Sequence, residues 1–185
     1  MYFCRAVAAA LVLATGPAWS HGDSHGKSPA AKSAVVSTEE RAFGRAGDPR
    51  KVARTYRVGM DDTMHFRATA AARQARDSDA RGDEASRLKP GDIVVKRGET
   101  VRFVVRNHGK VMHEMVIGTM QELKEHAELM RKFPDMEHDE PYMAHVAPGK
   151  QGEIVWQFTQ PGEFYYACLV PGHMEAGMIA KITVQ

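Results

Sequence analysis

From Thr55 to Val184 the chain reads as short runs of alternating apolar and polar residues, each stopped by a glycine or proline turn. That rhythm restricts it to an all-β architecture. Thr55–Val58, Ile93–Lys96, Thr100–Arg106, Met112–Ile117, Gly152–Phe158, Glu163–Cys168 and Met178–Val184 are the predicted strands, and Met60–Phe66 extends or bends the first of them. Arg97-Gly98-Glu99, Asn107-His108-Gly109, Pro148-Gly149 and Pro161-Gly162 are the predicted turns. Short strands at this spacing predict a β-sandwich. One helix interrupts them. Thr119-x-x-Glu122 is a capping box, Leu123, Ala127 and Met130 share one helical face, and Pro134 ends the segment.

The ends and insertions carry different information. Residues 1–20 read as a secretory signal: Arg5 precedes the apolar run Ala6–Ala14, and Ala18-Trp19-Ser20 places small residues before a cleavage point at Ser20/His21. The run is too short to span a bilayer, and no other stretch is long and apolar enough, so no membrane anchor is expected. Residues 21–54 are Gly, Ser, Ala and charge and read as a flexible tail ahead of a domain at 55–185. Residues 67–90, with almost nothing to bury, and 119–141, with its helix and acidic loop, read as insertions. A formal net charge of +2 gives no reason to expect a nucleic acid partner.

Eleven Met, nine His and two Cys are the unusual counts. Signal cleavage removes Cys4 and leaves Cys168 alone in a compartment where thiols oxidise and cysteines usually pair. Cys168 is therefore inert, paired with another chain, or ligated. The stretch Cys168-Leu-Val-Pro-Gly-His173-Met-Glu-Ala-Gly-Met178 favours ligation, since it puts a thiolate, an imidazole and a thioether on one loop between strands. A fourth ligand must come from elsewhere. His113, at the start of a strand, is the best candidate, with His108 its competitor. Two His and one Cys with a weak axial Met are the donors of a type 1 copper site. The Val170 amide is placed to hydrogen-bond the sulfur, and Glu114, beside His113, is read as a supporting residue behind the metal.

The loop CLVPGHMEAGM, the strand pair IVVKRGETVRFVVRNHG and the segment MHEMVIG resemble the cupredoxin family, and more closely its periplasmic CopI-like copper-tolerance members. The GETVRF…HE…G pattern and Met-Asp-Asp-x-Met-x-Phe at Met60–Phe66 carry that closer likeness over roughly 55–185. The resemblance implies a Greek-key β-sandwich, export to the periplasm, one type 1 copper held by His113, Cys168, His173 and Met178, and a role in copper handling or electron transfer. Both insertions depart from minimal cupredoxins. A binuclear copper centre would need a second Cys, and a multicopper oxidase would flank its Cys with His, whereas Ala167 and Leu169 flank Cys168. A catalytic centre is therefore not expected.

Further sulfur and imidazole lie outside that loop. Met60, Met64 and His65 share one segment, and Met136-x-His138 and Met143-x-His145 bracket the acidic loop. Soft donors of this kind suit Cu(I), so these seven residues form a candidate secondary copper site. Two functions fit the chain: a copper-tolerance protein that binds or oxidises copper or passes it to a partner, and a dedicated electron carrier between redox proteins.

Overall fold

Eleven strands and one α-helix are found in the computed structural model, which describes residues 39–71, 89, 91–134 and 138–185. The predicted signal, the tail up to 38, most of the 67–90 insertion and Met136 lie outside the described residues. In chain order the strands are β1 (Glu40–Arg41), β2 (Gly44–Ala46), β3 (Arg54–Asp61), β4 (His65–Ala70), β5 (Ile93–Val95), β6 (Thr100–Asn107) and β7 (His113–Gly118). Helix α1 (Met120–Lys132) follows, then β8 (Met143–Val146), β9 (Gln151–Gln157), β10 (Gly162–Ala167) and β11 (Ile179–Val184).

They form two sheets, one ordered β1-β2-β9-β6-β3-β4 and the other β5-β11-β10-β7-β8. The β3–β6 and β5–β11 pairs are parallel; the other pairs are antiparallel. Alternation explains the layering. In β6, Val101, Phe103, Val105 and Asn107 point inward while Arg102, Val104 and Arg106 do not. Val58 and Met60 of β3, Phe66 of β4 and Ile154 and Trp156 of β9 join the same core. The second sheet answers with Met115, Ile117, Phe164, Tyr166 and Ile182. The result is the β-sandwich with a short helix that the sequence predicts.

Two boundaries differ from the sequence reading. Residues 40–46 lie in the stretch read as tail, yet they form β1 and β2, with β2 paired to β9 and β1 to β2 at the edge of the sheet. Phe43 is buried there and stacks on Trp156 with ring centroids 5.1 Å apart, and Trp156 Nε1 donates to the Phe43 carbonyl at 2.9 Å. Strands of two and three residues are too short to show periodicity, so one aromatic among polar residues was the whole signal. Residues 60–66 neither simply extend nor bend a strand. They are a hairpin, with Met60 opposite Phe66 and Asp61 opposite His65. Met64 sits at its turn with φ of 59°.

Helix α1 forms as its capping box prescribes. Thr119 Oγ1 accepts from the Glu122 amide at 3.2 Å, and Glu122 Oε2 accepts from the Thr119 amide at 3.0 Å. Leu123 and Met130 pack with Val116, Met143, Ala167 and Leu169 on the outer face of the second sheet. Every residue of β7 is buried as a consequence, because the sandwich covers one face and the helix layer the other.

Candidate metal centre

Three donor atoms converge at one end of the sandwich. Phe164, Tyr166 and Cys168 continue a single inward-facing row, so the Cys168 thiol is carried to the core end of β10. The chain then returns to β11 through a tight loop. Cys168 N donates to Met178 O, Met178 N to His173 O and His173 N to Val170 O, each at 3.0 Å. Gly172 and Gly177 hold φ of 89° and 103°, conformations that a side chain would strain, and these let the loop fold back on the sulfur. His173 Nδ1 lies 3.3 Å from Cys168 Sγ. His113, the first residue of β7, presents its Nδ1 from the neighbouring strand at 3.9 Å. The donor atoms of His113, Cys168 and His173 all lie within 4.8 Å of one another. Met178 is fully buried in the same cluster as Cys168, tied to it by the backbone bond just described.

This donor set fits copper on chemistry and on spacing. A trigonal ion with metal–sulfur and metal–nitrogen bonds of first-row length separates S from N by about 3.8 Å, and the two observed separations bracket that value. Thiolate, two imidazoles and a thioether suit both copper oxidation states. His108 is exposed on the turn after β6, so of the two candidates it is His113 that faces the sulfur.

The surroundings prepare each donor. Burial pushes the Cys168 thiol up to about 12, while the amides of Glu114 and Val170 pull the other way by hydrogen-bonding the sulfur. The Glu114 amide does so at 3.4 Å. Burial and the neighbouring His113 hold His173 below its ordinary value, which favours the neutral ring that a metal ligand needs. His113 Nε2 donates to Asp62 Oδ1 at 3.2 Å, which leaves Nδ1 with the free electron pair.

Several of these supporting residues had no clear sequence signal. Asp62 lies in a pair of carboxylates that suggests attraction of a cation. The structure uses it to accept from the Lys110 amide at 2.9 Å and from His113, so backbone hydrogen bonds hold it well below the usual carboxylate range. Buried Asn107 clamps the same turn, donating to Val111 O and Val146 O at 2.7 and 2.8 Å and accepting from the Gly109 amide at 2.8 Å. Glu114 points away from the sulfur: its Oε1 accepts from the Leu169 amide at 2.8 Å and its Oε2 from His145 Nδ1 at 2.9 Å.

The candidate secondary residues are scattered apart from His138 and His145, whose ring centroids lie 6.2 Å apart. Met60 is in the core between the sheets, whereas His65 is exposed on the other face of the hairpin, so the two are not brought together. Met64 packs partly against the core. Met143 is buried under the helix with Met130, while His145, on the same side of β8, is exposed and meets Glu114. Met136 lies outside the described residues. His138 meets His126, a residue the sequence did not single out, with their Nε2 atoms 2.9 Å apart.

Comparison with known proteins shows the family and the fold. The family described as copper binding proteins of the plastocyanin/azurin type matches residues 78–185. The copper-resistant cuproprotein CopI of Rubrivivax gelatinosus is 43% identical over 176 residues, covering 95% of this chain and 92% of that protein. The copper-resistant cuproprotein CopI of Vibrio cholerae is 41% identical over 91 residues, 49% of this chain and 54% of that protein. Among solved structures, auracyanin B shares the fold with a TM-score of 0.54 at 19% identity, over 79% of this chain and 96% of that one.

Proposed function

Because the chain belongs to the plastocyanin/azurin family of copper-binding proteins, we propose that it is a periplasmic copper-tolerance protein holding one copper through His113, Cys168 and His173, with Met178 as a weak axial ligand. The observation that carries the ligand set is the convergence of one thiol and two Nδ1 atoms at the buried end of β7 and β10. The likeness to copper-resistant cuproproteins supports the tolerance role. Export rests on the signal-like residues 1–20, with cleavage near Ser20/His21; among the described residues no helix is long and apolar enough to cross a membrane.

Bound copper supplies one-electron exchange between Cu(I) and Cu(II). The residues of the chain make that exchange easy. Asp62 fixes the His113 ring, the short backbone-bonded loop fixes His173 against the sulfur, and the amides of Glu114 and Val170 receive the thiolate once its proton leaves. A donor set held this firmly changes little between oxidation states. The Met178 thioether and the buried surroundings would tune the potential of a bound copper. In tolerance the site takes up copper, or oxidises Cu(I), and hands it or its electron to a protein partner.

Loading with Cu(II) is expected to give an intense thiolate-to-copper absorption band that Cys168→Ser abolishes. Met178→Leu is expected to keep the copper and raise its reduction potential, because an apolar axial position disfavours Cu(II). A colourless Cu(II) protein, or a band that survives Cys168→Ser, overturns the ligand set. A second reading, a dedicated electron carrier, draws on Val111 and Met112, which are 44% and 45% exposed immediately before His113 and offer an apolar docking edge. Deletion of the gene separates the two. Copper sensitivity with intact respiration supports tolerance, and a respiratory defect at low copper supports the carrier.

A further inference from the structure

We propose that His126 and His138 form a second metal site, a surface site for Cu(II), distinct from the thiol-containing centre and lying behind it on the helix side of the second sheet. His126 projects from α1 and His138 from the segment leading to β8. Their Nε2 atoms are 2.9 Å apart and their ring centroids 4.9 Å apart. Both line a cavity of about 400 Å³, together with Glu125 and Tyr142.

The spacing is that of a hydrogen bond between the rings, and it also suits one ion held by both nitrogens. With metal–nitrogen bonds of about 2.0–2.1 Å, two nitrogens this close subtend roughly 90° at the ion, whereas a tetrahedral ion would hold them about 3.3 Å apart. Adjacent nitrogens at right angles are what tetragonal Cu(II) takes, and Cu(II) also heads the affinity order for imidazole sites. Without metal the two rings share one proton between their Nε2 atoms. The site can release that arrangement, because His138 Nδ1 is buried and has no hydrogen-bond partner among the described residues to fix the tautomer. When Cu(II) binds both Nε2 atoms, the shared proton moves to a ring Nδ1 and none need leave. Burial and the neighbouring imidazole hold His126 below its ordinary value, which favours the neutral ring that can ligate.

His145 is a positioning residue in this arrangement. Both of its ring nitrogens face acceptors, Nδ1 the Glu114 carboxylate at 2.9 Å and Nε2 the His138 carbonyl at 3.1 Å. It therefore ties the His138 backbone to Glu114, the residue whose other oxygen holds the Leu169 amide beside Cys168. The remaining coordination positions open to the cavity and to water.

The test uses the full mature chain with the Cys168 centre already loaded, followed by further Cu(II) or by Zn(II) alone. An additional Cu(II) with a tetragonal, nitrogen-coordinated paramagnetic resonance signal is expected. His126→Ala/His138→Ala should lose one equivalent of Cu(II) while keeping the visible thiolate band, and the single variant His138→Gln should weaken that equivalent more than tenfold. The retained band reports that the variants fold. In a Cys168→Ser chain the additional signal should persist, so this site and the ligand set at Cys168 fail separately. Equal Cu(II) stoichiometry in the wild-type and double-variant chains overturns the site, and so does Zn(II) binding it more tightly than Cu(II).

Discussion

The two faces of β7 keep different company. Its inward face begins with His113 and continues with Met115 and Ile117 into the sandwich core, whereas its outward face carries Glu114 and Val116 against the helix layer. The inward face resembles the rest of the sandwich, apolar except where a metal donor is required. The outward face buries a carboxylate that accepts from the Leu169 amide and from His145. In the six-stranded sheet the corresponding outward positions of β6 are Arg102, Val104 and Arg106, which face water or its edge. Helix α1 thus turns an ordinary solvent face into a second buried layer, and that layer holds the metal loop from behind. The metal centre is shaped from both sides of one strand.

Substitutions on the outward face should break this comparison most severely. Glu114→Ala leaves the Leu169 amide and His145 without their acceptor in a buried setting. We expect a loss of about 3 kcal/mol in urea unfolding of the metal-free protein, together with a shifted copper absorption band. A band identical to wild type would show that the outward layer does not reach the sulfur. Leu123→Ala empties the apolar contact between helix and sheet. It should cost about 2–3 kcal/mol, with the band unmoved, because Leu123 packs against Val116 and Leu169 and not against a donor. A loss below ~1 kcal/mol would mean that the helix is a loosely laid cover. Thr119→Ala removes only the helix cap and should cost about 1 kcal/mol. Thr119→Ser should restore most of it, and a null effect for Thr119→Ala would assign the stability of α1 to packing alone.

Legibility from the sequence followed distance along the chain. The Cys168–Met178 loop was readable because three donors recur within one short segment, and the helix because its cap and apolar face are local. The strand rhythm was readable for the same reason. Asp62 and Asn107 were not legible in their roles, and Glu114 was legible as a supporting residue but not in its partners. Asp62 reaches His113 across 51 positions and Glu114 reaches the Leu169 amide across 55, and no pattern in either segment encodes the meeting. Phe43 joins Trp156 across 113 positions from strands too short to carry a period. His126 and His138 are twelve apart and meet only because the chain reverses after α1. The Met-x-His repeats, by contrast, were conspicuous in sequence but form no common donor set: Met143 and His145 share the outer side of β8, where the helix buries Met143 and leaves His145 exposed.

The amino-acid sequence alone determined that this chain is an all-β sandwich with one capped helix, and that its one cysteine outside the predicted signal sits among copper donors. Those properties depend on side-chain period, on turn residues and on spacing within a loop, all of which act over a few residues. Tertiary structure alone decided which histidine faces the sulfur, which carboxylate orients it, and which imidazoles stand together behind it. Those are matters of register between strands and of how a helix lies on a sheet. A hydrogen bond or a metal donor pair is settled by ångström distances between segments that share no local pattern.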